Sequence, residues 1–224
     1  MERSLNGKAA RILLADDHEL MRRGTRALLE THADWEVCGE AADGRTAVEM
    51  AQKLSPDIVV MDIAMPQLNG FEATRQILER TRGVEVLVLS MHDSEHMVRE
   101  VIGAGARGYV LKSDAGRDLV AAVEALLRRE CFFSASVAES VRAATLKVSG
   151  SKRPSLRPAG ALTRREREVL QLLAEGRANK IVAKLLGISV KTAETHRARI
   201  MRKLRMKSLA ELVRYAIRNG FVEP

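Results

Sequence analysis

The sequence is poor in cysteine, in aromatic residues and in long apolar stretches. Two cysteines among 224 residues, Cys38 and Cys131, exclude a disulfide framework and a four-ligand zinc finger. Aromatic residues make up 3% of the chain, so a stacking platform for single-stranded nucleic acid is not expected. The apolar runs reach four or five residues, far fewer than the roughly 20 that span a bilayer. Residues 1–10 also lack the apolar core of a signal peptide, and we expect a cytoplasmic protein without a membrane partner.

Acidic residues are scarce in the last third of the chain, so the two parts of the sequence differ in net charge. The formal net charge is +8. Residues 1–145 hold 18 Lys and Arg against 23 Asp and Glu, a balance of −5, whereas residues 146–224 hold 19 against 6, a balance of +13. This division indicates two domains with different partners, the basic one suited to nucleic acid or to an anionic membrane. We also expect the two parts to attract each other electrostatically.

Five short apolar runs are regularly spaced along the first half, with room for a loop and a helix between consecutive runs. They occupy residues 12–15, 37–41, 58–61, 86–89 and 109–111. Runs that are apolar throughout are typical of strands buried on both faces of a parallel sheet. Residues 8–130 are therefore predicted to form an α/β doubly wound, flavodoxin-like domain with a five-stranded parallel sheet.

The second half is predicted to be helical beyond a linker. We expect one more helix from about residue 135 to 146. A mobile linker is expected at 150–160, because this segment contains two glycines, two prolines and no acidic residue. Residues 131–161 thus join the first domain to an all-α domain at 162–224. Capping and stop signals predict four helices with a helix-turn-helix between the second and the third, at about 164–174, 179–186, 190–204 and 209–219.

Polar residues follow four of the five predicted strands. Asp16 and Asp17 follow the first, Asp62 the third, Ser90 the fourth and Lys112 the fifth. The carboxyl ends of parallel strands meet at one edge, so these side chains are expected to lie together. Clustered carboxylates suit Mg²⁺, and a carboxylate, a metal, a hydroxyl and an ammonium together fit phosphoryl transfer. Any one of these aspartates, taken alone, is as well explained as a helix cap or a solvated loop residue.

The helix predicted over 190–204 is amphipathic. Its inward stripe holds Val190, Ala193, Ile200 and Leu204. Its outward face is cationic and rich in small residues, which lets a helix enter the major groove: Lys191, Glu194, Thr195, Ala198 and Arg202, with Arg199 and Lys203 on one flank. A solvated charged face and a membrane-surface helix are the alternatives, and the lack of a large apolar face argues against the membrane.

Four segments of the first domain carry a family resemblance: LADDH at 14–18, VMDIAMP at 60–66 followed by Asn-Gly, VLS at 88–90 and GARGYVLK at 105–112. With these motifs, the domain resembles the receiver domain of two-component response regulators. The resemblance implies that Asp62 accepts a phosphoryl group from a sensor histidine kinase, and that Ser90 and Lys112 contact that group. It also implies an Mg²⁺ site made by Asp16, Asp17, Asp62 and the Ala64 carbonyl. Tyr109 matches the switch aromatic, although a plain half-buried strand residue is an equal alternative.

The second domain carries a resemblance of its own. Its motifs are LTRREREVL at 162–170, LGISVKT at 186–192, and ETHR at 194–197 with IMRKL at 200–204. They resemble the LuxR-type helix-turn-helix of the NarL and FixJ class of response regulators. Three residues depart from that pattern: Ile181 replaces Glu, Ala193 replaces Val, and Arg205 replaces a Gly, where we expect strain. The DNA contacts implied are Lys191, Thr192, Glu194, Thr195, His196, Ala198, Arg199, Arg202 and Lys203.

Together these features predict a DNA-binding transcriptional regulator switched by phosphorylation of Asp62. We expect phosphorylation to shift the protein toward a state that exposes the 190–204 helix and forms a homodimer, with RNA polymerase a further partner. No enzyme activity is expected beyond the chain's own phosphotransfer and dephosphorylation. The alternatives are a transcription factor controlled by protein contact without phosphorylation and an aspartyl-phosphate phosphatase. Ala64 disfavours the phosphatase, because haloacid-dehalogenase phosphatases have a general-acid Asp there.

Overall fold

A parallel β-sheet organises the first domain of the computed structural model, which describes residues 9–138 and 162–222. The strands are β1 (Ala10–Ala15), β2 (Trp35–Ala41), β3 (Ile58–Asp62), β4 (Glu85–Ser90), β5 (Gly108–Leu111) and β6 (Phe132–Phe133). Each of the five predicted strands is present. The strand order is β2-β1-β3-β4-β5-β6, the doubly wound arrangement predicted from the apolar runs.

The sixth strand corrects the predicted five-stranded sheet. Phe132 and Phe133 pair in parallel with Gly108 and Tyr109 of β5, and Val137 beyond them is fully buried in the core. A two-residue strand is too short to show a hydrophobic period, which is why the sequence did not indicate it. The sheet therefore extends past the predicted domain limit at residue 130.

Helices cover both faces of the sheet, as its continuously apolar strands require. The helices are α1 (Glu19–Leu29), α2 (Gly44–Leu54), α3 (Gly70–Arg80), α4 (Glu95–Ala104) and α5 (Ala115–Leu127). In β3, Val59 and Met61 face α2, α3 and α4, whereas Ile58 and Val60 face α1 and α5. These opposite directions follow from the two-residue period of a strand.

The second domain is a bundle of helices with its own apolar core. The predicted capping box is confirmed, because Thr163 and Glu166 exchange side-chain and backbone hydrogen bonds at the start of the first helix. Gly187 ends the second helix in the left-handed conformation, and Ser189 caps the third. The helix-turn-helix is thus confirmed. The helices are α6 (Arg164–Ala174), α7 (Asn179–Leu186), α8 (Val190–Lys203) and α9 (Leu209–Arg218).

The helix expected to about residue 146 and the linker at 150–160 lie outside the described residues.

The inward stripe of α8 is only partly confirmed. Val190, predicted to lie in the core, is 42% exposed, whereas Ala193 and Ile200 of the same stripe are fully buried. Val190 is the first residue of α8, where the helix does not yet pack on the bundle. Within the described residues, no helix is both long and apolar enough to cross a membrane.

The two domains pack together through ion pairs between helices α3 and α6. Glu72 of α3 is buried, and its Oε1 lies 2.7 Å from Nη2 of Arg167 in α6. Farther along the same helices, Arg164 donates to Glu79 at 3.0 Å. The basic side chains come from the second domain and the acidic ones from the first, which is the sense of attraction that the uneven charge predicted.

Arg205 adopts the strained conformation expected where a glycine is usual. It follows α8 with a φ of +55°, and a Cβ disfavours this left-handed region. We expect Arg205→Gly to raise the free energy of unfolding by about 1 kcal/mol, measured by urea denaturation. Arg214→Gly, inside α9, is the matched control and should lower it by about 1 kcal/mol. Equal destabilisation by both changes would contradict the strain.

Candidate functional site

The carboxyl ends of the strands form a charged pocket. Asp16 follows β1 and Asp62 ends β3, and both carboxylates are buried. Lys112, directly after β5, bridges them: its Nζ lies 3.0 Å from Asp16 Oδ2 and 2.9 Å from Asp62 Oδ2. Residues as far apart in sequence as 16 and 112 thus meet at one edge of the sheet, as predicted.

The pairing of β3 with β4 places Ser90 beside Asp62. The register aligns Asp62 with Leu89, so the buried Ser90 is the next residue at the same edge. Its Oγ accepts a hydrogen bond of 3.0 Å from the His92 N–H. Ser90 therefore lies where a hydroxyl can reach a group attached to Asp62.

The loop of residues 63–69, called here the acceptor loop, folds tightly back on β3. The Gly70 N–H donates to the Ile63 carbonyl at 2.8 Å. A Cβ on Gly70 would lie 2.0 Å from the Asp62 carbonyl oxygen, so this approach requires glycine. The Asn69 side chain caps α3 by accepting from the Glu72 N–H at 3.0 Å. The Asn-Gly pair of the sequence thus fixes the end of the loop that begins at Asp62.

Burial and charge shift the pKa values in the pocket. Burial raises the pKa of Asp62 to about 6, although Lys112 opposes the shift. Burial also tends to lower the pKa of Lys112, but Asp62 and Asp16 outweigh it, and the net shift is upward. Near neutral pH, Asp62 is mostly ionised and Lys112 is fully charged.

Four side chains offer ligand atoms to a cation at this edge. Atoms of Asp16, Asp17, His18 and Asp62 all lie within 4.8 Å of one another. The His18 N–H donates to Asp16 Oδ1 at 2.8 Å, and His18 Nδ1 lies 3.1 Å from Asp17 Oδ1. The sequence prediction missed His18; its position directly after the two aspartates was the available signal. Three carboxylates in one cluster are compatible with a divalent metal.

Tyr109 is fully buried and does not behave as a half-exposed strand residue. Its hydroxyl donates to the His92 carbonyl, and burial raises its pKa to about 12. Ser90 and Tyr109 both bond the backbone of His92, so the segment after β4 links the two side chains. The Tyr109 ring therefore points into the core of the first domain.

Helix α8 presents the predicted outward face to solvent, and two of the predicted DNA contacts are half-buried instead. The Lys203 Nζ donates to the buried Glu166 at 2.6 Å, and burial, more than the nearby Arg165, lowers the pKa of His196. The Thr195 hydroxyl donates to the Lys191 carbonyl at 2.8 Å. The exposed members are Lys191, Thr192, Glu194, Thr195, Ala198, Arg199 and Arg202.

The exposure of α8 corrects one expectation. We expected activation to uncover this helix, but its outer face is exposed while the domains are packed together. The first domain instead contacts α6, and Met97 of α4 approaches Gly220 after α9. Domain packing therefore leaves the outer face of α8 accessible.

Comparisons with known proteins match both domains. Residues 12–124 match the response regulator receiver domain, and residues 160–216 match the bacterial regulatory proteins of the luxR family. The transcriptional regulatory protein LiaR of Bacillus subtilis is 39% identical over 95% of this chain and 99% of its own. The chain belongs to the two-component response regulators with a LuxR-type DNA-binding domain. It is a DNA-binding regulator of transcription and not a classical enzyme.

Solved response regulators share the architecture. RcsB of Salmonella enterica serovar Typhimurium, bound to promoter rprA in the presence of phosphomimetic BeF3⁻, has a TM-score of 0.61. It is 27% identical to this response regulator and covers 93% of it and 98% of its own chain. A structure of two RcsB dimers on two parallel DNAs has a TM-score of 0.57, at 28% identity with coverage of 93% and 98%.

The departures of this response regulator from the LuxR-type pattern have different surroundings. Ala193 is fully buried, so a smaller residue stands in the core of the helical domain. Ile181 on α7 is 43% exposed with the domains packed together.

The raised pKa of Asp62 predicts a pH-dependent stability difference. The pKa of Asp62 is about 6 in the folded protein and about 3.9 in the unfolded chain. Ionisation of Asp62 therefore lowers the free energy of unfolding progressively as the pH rises from about 4 to 6. We expect the free energy of unfolding of metal-free Asp62→Asn to exceed that of the wild-type protein by up to about 3 kcal/mol at pH 7.5 and by about half that at pH 5.

Urea denaturation at the two pH values measures this difference. The exposed Asp34, outside the pocket, supplies the control: Asp34→Asn should differ equally from wild type at both. A stability advantage of Asp62→Asn that stays the same from pH 5 to pH 7.5 would contradict the buried, high-pKa carboxylate.

Proposed function

We propose that Asp62 is the phospho-acceptor of this response regulator and takes its phosphoryl group from a sensor histidine kinase. The observation that carries the proposal is the position of Asp62: it is 3% exposed, ends β3, and lies 2.9 Å from the Lys112 ammonium. At neutral pH a carboxylate with a pKa of about 6 is ionised and available as a nucleophile.

The transfer uses groups that already surround Asp62. An oxygen of the carboxylate forms the bond to phosphorus while the bond from phosphorus to the kinase imidazole breaks, and the departing imidazole nitrogen takes a proton from water. Lys112 neutralises charge on the phosphoryl oxygens, and Ser90 donates a hydrogen bond to one of them. Asp16, Asp17, Asp62 and the Ala64 carbonyl would hold Mg²⁺, which supplies further charge neutralisation when bound.

The same pocket returns the chain to its resting state. Water attacks phosphorus, Asp62 leaves as a carboxylate, and inorganic phosphate is released. Residue 64 is alanine, so no second carboxyl two positions after Asp62 acts as a general acid for external substrates. The proposed chemistry is therefore limited to the chain's own phosphotransfer and dephosphorylation, with Ser90 and the inward Tyr109 reporting the phosphoryl group to the surface.

Helix α8 is the proposed recognition helix for double-stranded DNA. Lys191, Arg199 and Arg202 neutralise phosphates, and Glu194 and Thr195 face base edges in the major groove. The RcsB structures on DNA support this assignment. His196 and Lys203 were predicted contacts too, but their half-buried positions suit them better to orienting the helix.

Phosphorylation is proposed to act through dimer geometry, since α8 is exposed in the packed arrangement. Two recognition helices must lie about 34 Å apart to reach successive major grooves, and packing against the receiver constrains that spacing. The RcsB dimers on DNA support a homodimer as the active form. RNA polymerase is a further proposed partner, and the cytoplasm, where these partners meet, the proposed location. We propose that the receiver starts at residue 8 and runs past the predicted limit of 130 to include β6, and that the DNA-binding domain occupies 162–224.

Labelling by acetyl phosphate tests the phospho-acceptor. We expect wild type to gain one phosphoryl group in intact-mass measurements and Asp62→Asn to gain none, because the nucleophile is removed. Asp57→Asn, which changes a carboxylate at the opposite end of β3, is the matched control and should label like wild type. Persistent labelling of the Asp62→Asn protein would refute the assignment.

Salt-dependent DNA binding tests the recognition helix. Arg202→Ala should weaken binding to any duplex and reduce the slope of log affinity against log salt by about 1, as expected for one lost phosphate contact. Arg82→Ala, which removes the same charge from an exposed turn of the receiver, is the control and should keep the wild-type slope. Equal slopes for all three proteins would argue against contact by α8.

A further inference from the structure

The acceptor loop is bonded through its backbone by two side chains of the DNA-binding domain. The Gln171 amide Nε2 donates to the Met65 carbonyl at 2.8 Å, and its Oε1 accepts from the Asn69 N–H at 2.7 Å. Directly after α6, one turn beyond Gln171, Glu175 Oε1 accepts from the Gln67 N–H at 2.9 Å. Three backbone groups of a single loop are thus held from the other domain.

The chemistry of these bonds depends on the residue types. A primary amide supplies both the donor that Met65 needs and the acceptor that Asn69 needs. Gln171 Nε2 also donates to Glu175 Oε1 at 3.0 Å, which fixes the orientation of the amide. Gln171 is fully buried, and a buried backbone group without a partner is costly. General packing of the domains does not require such a matched set of bonds.

The loop is also strained where Glu175 holds it. Gln67 has a φ of +65°, a region that residues with a Cβ disfavour. The bond from its N–H to Glu175 supports this conformation. Burial raises the pKa of Glu175, opposed by the Gln67 N–H, Gln171, Arg177 and Arg45. The hydrogen bonds from the Gln67 N–H and the Gln171 amide to Oε1 hold the partly buried Glu175 side chain against the loop.

We propose that Gln171 and Glu175 are positioning residues that set the conformation of the acceptor loop from the DNA-binding domain. The loop starts at Asp62 and includes Ala64, so its backbone is shared by the phospho-acceptor pocket and the domain contact. Its consequence for phosphorylation rests on the proposed function of Asp62. Coupling between binding events is reciprocal: if phosphorylation releases the DNA-binding domain, releasing Gln171 favours the phosphorylated form.

Hydrogen exchange of the full-length, metal-free protein tests the positioning directly. In Gln171→Leu we expect amides in peptides covering residues 64–70 to exchange at least tenfold faster than in wild type. Arg164→Ala is the matched control: it removes the ion pair between Arg164 and Glu79 without touching the loop, and should change that exchange less than twofold. Unchanged exchange in Gln171→Leu overturns the proposal, and so does equal acceleration in Arg164→Ala.

A second variant guards against a folding defect. Gln171→Glu keeps the size and an acceptor for the Asn69 N–H, but places an oxygen against the Met65 carbonyl. It should accelerate the same peptides while exchange across α8 stays at the wild-type rate. If loop exchange in Gln171→Glu matches wild type, the proposal fails.

Equilibrium binding of beryllofluoride with Mg²⁺, followed by ¹⁹F NMR, tests the coupling. We expect Gln171→Leu to bind it at least threefold more tightly than wild type and Arg164→Ala to bind it within twofold. Equal affinity in wild type and Gln171→Leu overturns the coupling. The hydrogen exchange requires neither phosphorylation nor DNA, so failure of Asp62 as phospho-acceptor is distinguishable from failure of Gln171 as a positioning residue.

Discussion

Compensation of buried carboxylates is the constraint on which both the pocket and the domain contact depend. Asp62 is buried at the end of β3 beside Asp16, and the Lys112 ammonium lies against both. Glu72 is buried at the start of α3 between Arg75 of its own helix and Arg167 of the other domain. A carboxylate removed from water requires a cation or hydrogen-bond donors. In the pocket the cation is Lys112, which directly follows β5 of the same sheet. At the domain contact, one of the two cations beside Glu72, Arg167, comes from the other domain.

This difference separates the two sites in character. Lys112 is fixed by the sheet, so the pocket is complete within the receiver. Arg167 lies beside Glu72 only while the domains are packed together. When the domains separate, Arg75 is the one of these two arginines that stays beside Glu72. The acceptor loop lies between the two sites, with Asp62 before it and Glu72 three residues after Asn69. One short segment therefore joins the pocket to the domain contact.

Local patterns made most of the fold and pocket predictable from sequence. Strands buried on both faces are continuously apolar, caps such as Thr163 and Gly187 mark helix ends, and parallel topology places Asp16, Asp62 and Lys112 at one edge. The strand at Phe132 has only two residues, too few to show a hydrophobic period. Val190 fits the apolar stripe of its helix but lies at the first residue, where it stays exposed to solvent. Gln171 was invisible for another reason: its partners lie 102 and 106 positions away and depend on how two folded domains meet.

The strand β6 fixes where the chain leaves the receiver. Phe133 pairs with Tyr109, and the Ser134 N–H donates to the Tyr109 carbonyl at 3.0 Å, so the segment that leads to the second domain departs from beside Tyr109. Because both domains share one chain, their docking is an intramolecular equilibrium, and each domain experiences a higher effective concentration of the other than a separate protein would. A contact that would be too weak to join two separate proteins can therefore hold two domains of one chain together.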